Sequence, residues 1–218
     1  MESQKKILLI RHGTTAFNQA DRLQGRIDNP LNETGEAEVA RLAELIRDEP
    51  LDVIYCSPLV RARQTAEAIR RVRGGHCGPG GPSAPLRIVA DFHEIDLGDW
   101  EGLDYTTVKE RDPEFFNCWL EKADQAIPNG ESFTQVCERV KPALAEILRG
   151  PEQAVAIVGH ATVNRAILAI LLAMEPAVAR RFRVSNAAVA RLTVFENSRG
   201  RRTVVDAWNQ TAPLPTPE

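Results

Sequence analysis

An α/β fold is what this sequence predicts: a three-layer α/β/α sandwich around a mostly parallel central sheet, with a small helical insertion and an antiparallel edge strand. Three observations carry that expectation. Short apolar runs at Lys6–Ile10, Asp52–Cys56 and Ala154–Val158 do not alternate with polar residues, as expected of central strands buried on both faces. Segments with helical spacing separate them. Each run stops at a polar cluster: Arg11-His12-Gly13, Ser57-Pro58 and Gly159-His160.

The elements follow in order. Thr34–Asp48 carries Val39, Leu42, Ala43 and Ile46 on one helical face. Ser57-Pro58 suits an N-cap and first position for a helix running to about Val72. Ser132–Arg149 is helical in pattern, and Pro142 is expected to kink or split it. Ala161–Ala173 is apolar nearly all round and therefore buried. Ala190–Phe195 and Thr203–Trp208 read as strands joined by the turn Asn197-Ser198-Arg199-Gly200, a hairpin at the sheet edge. The segment of about 100–130 holds Tyr105, Phe115, Phe116 and Trp119 in a polar background and reads as a helical insertion covering the site. Gly74–Pro85, with five Gly and three Pro, reads as a flexible surface loop. Residues 1–210 thus form one domain, and 211–218 a loose tail.

Composition narrows the function. With 218 residues the chain can bury a core without staples, and a net charge of −3 points to neither nucleic acid nor a membrane surface. Only five of the 27 basic residues are lysines, so the cations are mainly the planar, bidentate kind. Cys56, Cys77, Cys118 and Cys137 form no C-x-x-C pair. The run before Arg11 is too short for a signal sequence, and Ala166–Met174 is far short of the ~20 residues that span a bilayer. A reduced, cytoplasmic protein is expected, without cofactor or metal. Edge-strand pairing leaves a homodimer open.

In open α/β sheets ligands bind beyond the carboxyl ends of the strands. There the sequence puts Arg11, His12, Thr14 and Thr15 after the first run. Ser57, Arg61 and Arg63 follow the second, and His160 the third. Two histidines and two or more arginines around helix N-termini suit an anion of phosphate size. No G-x-x-x-x-G-K-[ST] loop is present, which excludes a P-loop nucleotide site.

The run Arg11-His12-Gly13-Thr14-Thr15-Ala16-Phe17-Asn18 resembles the R-H-G-x-T-x-x-N signature of the histidine phosphatase superfamily, the phosphoglycerate-mutase-like group. The likeness continues through Leu23-Gln24-Gly25-Arg26, Ser57-Pro58-Leu59-Val60-Arg61, Glu94-Ile95-Asp96-Leu97-Gly98-Asp99-Trp100-Glu101-Gly102, Pro128-Asn129-Gly130-Glu131-Ser132 and Val158-Gly159-His160, in the expected order. It implies that the partner is a small phosphorylated metabolite, and that His12 attacks phosphorus and becomes phosphohistidine. By the same likeness Arg11, Arg61 and His160 hold phosphoryl oxygens, Asn18 and Gln24 line the phosphate pocket, and Glu94 gives a proton to the leaving alcohol. His12 must then present a neutral nitrogen, its other nitrogen held by a hydrogen bond to backbone. Glu94 lies near several acidic residues in sequence, which favours its protonated form. Ala161-Thr162 departs from the small Gly-Gly or Gly-Val pair of relatives. Glu131 reads as a helix N-terminal carboxylate, Arg63 as peripheral, and His76 and His93 as bystanders.

The paired arginines of the glycolytic mutases are not found, so a phosphatase is favoured over a mutase. Within the family the likeness is greatest to the α-ribazole phosphatases of cobalamin assembly, through the 97–102 run, the 126–132 segment and Phe182-Arg183-Val184. A broader phosphatase acting on phosphoserine or sugar phosphates, a mutase, and an idle phospholigand-binding module are the alternatives.

Overall fold

The computed structural model describes residues 3–74, 84–198 and 200–213. Six strands form one sheet: β1 (Ser3–Arg11), β2 (Val53–Cys56), β3 (Leu86–Ile88), β4 (Ala154–Gly159), β5 (Val189–Asn197) and β6 (Gly200–Gln210). The helices are α1 (Ala16–Gln19), α2 (Glu33–Leu45), α3 (Val60–Gly74), α4 (Tyr105–Arg111), α5 (Pro113–Glu121), α6 (Phe133–Arg149), α7 (Ala161–Leu172) and α8 (Pro176–Ala179). The strand order is β3-β2-β4-β1-β5-β6. The first four are parallel, β5 runs antiparallel to β1, and β6 closes the edge as the second arm of the hairpin.

Successive residues along the central strands point to opposite faces, and each face has its own core. On one side Ile7, Leu9, Tyr55, Val155 and Ile157 meet Val136, Val140 and Leu144 of α6 and Val163 and Ile167 of α7. On the other, Leu8, Ile10, Ile54, Ala156 and Val158 meet Val39 and Leu42 of α2 and Ala62, Ala66 and Ile69 of α3. This double burial is why the runs are continuously apolar. Each Val, Leu or Ile among them contributes roughly 1.5–3 kcal/mol.

Three local expectations change. The helix expected from Ser57 begins at Val60 instead. The Ser57 hydroxyl bonds His160 and accepts from Leu59 N–H at 3.3 Å, and Val60 N–H donates to Asp28 Oδ1 at 2.6 Å. Pro142 does not split α6, which runs unbroken over 17 residues from a Ser132 capping box. Pro142 and Glu138, four residues before it, are both exposed, so the carbonyl that loses its donor faces water. The strand β3 was not read from the sequence. It has only three residues at the sheet edge. Of the expected loop over 74–85, residues 75–83 lie outside the described residues, as do Arg199 of the hairpin turn and 214–218 of the tail.

Candidate active site

The site follows from register. Arg11 pairs with Gly159 across β1 and β4, and Cys56 pairs with Val158 across β2 and β4. Three neighbouring parallel strands therefore end at one level, which brings His12, His160 and Ser57 side by side. The two imidazole centroids are 5.1 Å apart, edge to face. Gly13 lets this turn pack on the start of α2. A Cβ there would lie 2.6 Å from the Gly35 carbonyl oxygen.

His12 is 3% exposed and hydrogen-bonded on both sides. Its Nδ1 is 2.6 Å from the Gly13 carbonyl, which can only accept, so Nδ1 carries the hydrogen. Arg61 Nε–H donates to His12 Nε2 at 3.2 Å, which requires a lone pair there. Burial, then the guanidinium charges of Arg61 and Arg11, push the His12 pKa well below its ordinary value. The ring is neutral, with the hydrogen on Nδ1 and a lone pair on Nε2, and its backbone tether is the one expected.

Arg61 is 1% exposed. Besides His12 it donates through Nη1 to Ile27 C=O and through Nη2 to Gly25 C=O, each at 2.8 Å, and so shapes the 24–27 loop. Gly25 has φ +50°, and a Cβ would fall 2.1 Å from Glu101 Oε1. Arg11 donates to Val184 C=O at 2.6 Å, while its buried Nε has no protein partner among the described residues. Burial lowers its pKa to about 10, so it remains a cation at neutral pH. His160 is fully buried at the start of α7, with Nε2 2.7 Å from Ser57 Oγ. Its Nδ1 has no partner among the described residues. The Ser57 hydroxyl can donate to Nε2, leaving an N–H on Nδ1 for an anion.

Asn18 and Gln24 present donors. Asn18 Oδ1 accepts from Thr15 N–H and from Asn186 Nδ2, and Gln24 Oε1 accepts from the Thr15 hydroxyl. Each amide oxygen is thereby occupied, and the NH2 end is available to the cavity both residues line. Thr14 turns away, its N–H on Glu38. Glu94 accepts from its neighbour Ile95 N–H at 2.9 Å and from Thr162 N–H of α7 at 3.3 Å. The position that departs from relatives thus contributes through its backbone. Arg11, Arg61 and Arg165 each feel the Glu94 carboxylate.

Arg11, His12, Asn18, Gln24, Arg61 and Glu94 line one cavity of 360 Å³, and His160 lies against His12 beneath it. Glu131 is placed elsewhere. It accepts from Asp96 N–H and pairs with Arg139 at 3.0 Å and Arg26 at 3.2 Å, tying the 96–98 loop to α6. Arg63 is exposed, and His93 is half-buried with Nδ1 toward its neighbour's carbonyl. Sequence reasoning missed Asn186, which holds the His12 and Gly13 carbonyls, and the wall residues Arg22, Arg165 and Arg180. Arg165 had a readable signal: it is the only charged residue in the apolar helix α7. Among the described residues no group of three or more His, Cys, Asp or Glu could hold a metal ion, and no helix is long and apolar enough to cross a membrane.

A neutral, doubly tethered histidine beside buried arginines, beyond the ends of a parallel sheet, makes a site suited to an anion of phosphate size. A family model for the histidine phosphatase superfamily (branch 1) matches residues 7–211, and the chain belongs to that family. Phosphoserine phosphatase 1 of Hydrogenobacter thermophilus is 32% identical over 96% of this chain and 94% of its own. The adenosylcobalamin/alpha-ribazole phosphatase of Salmonella typhimurium is 30% identical over 88% and 91%. The solved structure of a mycobacterial glucosyl-3-phosphoglycerate phosphatase in complex with VO3 superposes with a TM-score of 0.80 at 29% identity, over 94% of this chain and 98% of that one. The chain is accordingly a phosphatase of α/β fold.

Proposed function

We propose that the protein hydrolyses small phosphomonoesters through a phosphohistidine on His12, without a metal. The observation that carries this reading is the pair of hydrogen bonds on His12, which leaves Nε2 unprotonated beneath Arg61. Nε2 attacks phosphorus as the P–O bond to the alcohol breaks. The electron pair goes to the leaving oxygen, which takes the proton of Glu94. Arg11, Arg61, His160 Nδ1–H and the amides of Asn18 and Gln24 hold the equatorial oxygens, where positioning and charge neutralisation do most of the catalysis. The Gly13 carbonyl stabilises the charge that develops on the ring. In the second half Glu94 takes a proton from water, water attacks phosphorus, and the P–N bond breaks to restore the imidazole.

α-Ribazole 5′-phosphate is the substrate candidate favoured by the Salmonella relative and by Tyr105 and Trp119 in the cleft wall. Phosphoserine is favoured by the Hydrogenobacter relative. The test is phosphate release from p-nitrophenyl phosphate, α-ribazole 5′-phosphate, phosphoserine and 3-phosphoglycerate, in chelator. Turnover of one or more is expected. Folded protein that turns over none would sink the reading, and mutase activity with a bisphosphoglycerate primer would replace it.

A further inference from the structure

The cavity holds more positive charge than a phosphate needs. Its walls carry Arg11, Arg22, Arg61, Arg165 and Arg180 against Asp21 and Glu94. A phosphate dianion offsets Arg11 and Arg61, Asp21 offsets one further charge, and Glu94 is neutral when it holds the proton for the leaving alcohol. Arg165 and Arg180 remain. None of the ion pairs among the described residues involves either of them.

Both arginines are held by backbone carbonyls that leave nitrogens over. Arg165 uses Nε on Phe182 C=O at 2.8 Å, and its two terminal nitrogens have no protein partner among the described residues. Arg180 uses Nη1 on Trp119 C=O and Lys122 C=O, and its guanidinium lies 4.7 Å from the Trp119 ring centre. Burial lowers the pKa of each. With Tyr105 and Trp119 they form a wall shared by the phosphate cavity and an adjoining one of 690 Å³. The four wall residues line both cavities, whereas Arg11, His12 and Arg61 line only the first, so the alcohol part of an ester that extends toward the second passes this wall. Arg165 is the one charged residue of helix α7, and the carboxylate it feels is Glu94, which the proposed reaction uses as its acid.

We propose that Arg165 and Arg180 form a second anion subsite, which selects phosphomonoesters whose alcohol carries its own anionic oxygen group, a carboxylate or a second phosphate. The forked guanidinium suits either group. This inference rests on the phosphatase reading above and sharpens its substrate class.

Two matched pairs of esters test it by kcat/KM. 3-Phosphoglycerate against glycerol 3-phosphate exchanges a carboxylate for a hydroxymethyl group. Fructose 1,6-bisphosphate against fructose 6-phosphate adds a second phosphate. A preference of about tenfold or more for the anionic member of one pair is expected, the size of a charge-assisted contact, and the pair that shows it identifies the group. Arg165→Gln and Arg180→Gln should bring that ratio toward one, and Arg165→Lys should restore part of it. Ratios near one in both pairs overturn the proposal. So does an equal fall on both members of a pair in the variants, the signature of a merely structural role. Calorimetric binding of the same esters to His12→Ala protein reads the subsite without chemistry. Failure of all turnover, with a tenfold binding preference intact, would count against the hydrolase reading and not against the subsite.

Discussion

The inner half of the cleft is made where three neighbouring strands end, whereas its outer half is made by short helices and carbonyl-held arginines. His12, Arg61 and His160 are all at most 3% exposed, and their partners lie on the sheet or the loops leaving it. Tyr105 in the outer wall is 50% exposed, and Arg22, Arg165 and Arg180 reach the cleft from four different segments along with Trp119. Burial against the sheet and its loops restrains these side chains, as in-line transfer requires. On the proposed reading, chemistry belongs to the inner half and selectivity to the outer.

Substitutions can break this contrast, beginning with the largest effect. His12→Ala is expected to lower kcat by at least about 10⁴-fold. It should also abolish an acid-labile, base-stable phosphoenzyme; labelling that survives would place the nucleophile elsewhere. Arg61→Gln should cost about 10²–10³-fold in kcat/KM, since a donor to the transferring group is lost. It should also lower stability, because the Gly25 and Ile27 carbonyls lose their donors at about 1–3 kcal/mol each. Unaltered urea unfolding in that variant would show that the 24–27 loop does not depend on Arg61.

Buried neutral histidines also predict a pH dependence of stability. Burial is the main cause of the depressed pKa of both His12 and His160, with Arg61 and Arg11 adding to it. The unfolded chain therefore binds two more protons than the folded one below the ordinary histidine pKa of about 6.5. Stability is complete above that value and falls as pH drops, by roughly 2.7 kcal/mol per unit from the two together. Unfolding midpoints at pH 7.5, 6.0 and 5.5 measure the slope, and His160→Gln should halve it. A flat profile would mean that one or both rings can charge in place.

Smaller effects sharpen the boundary between the halves. Ser57→Ala leaves the buried His160 Nε2 without its partner and frees the tautomer, so kcat/KM should fall about tenfold and stability by about 1–3 kcal/mol. Trp119→Ala should raise KM a few-fold while kcat holds, the pattern of lost uniform binding. A fall in kcat as large as that of Ser57→Ala would show that the insertion also positions the chemistry.

The legibility of the two halves in the sequence differs for the same reason. Apolar strands ending at Arg11-His12, Ser57 and Gly159-His160 could be read directly, because a buried parallel strand leaves an unbroken apolar run and its end must turn polar. Glu94, Asn18 and Gln24 came only through family likeness, since no local periodicity marks a loop residue. Phe182-Arg183-Val184 was noticed for its side chains. Two of its carbonyls matter more: Val184 holds Arg11 and Phe182 holds Arg165. Backbone acceptors carry no residue-type signature, so such roles cannot be read from letters.

By itself the sequence determined the layered fold and the polar ends of its strands, because burial patterns and short polar clusters are local properties of the chain; the role expected of His12 came through family likeness. Only the tertiary structure decided which nitrogen of His12 carries the hydrogen, that Arg11, Arg61 and Arg165 feel Glu94, and that Arg165 and Arg180 share the cleft wall. Those facts depend on contacts between segments up to 174 positions apart, such as Asn186 to His12, and no spacing along the chain encodes them.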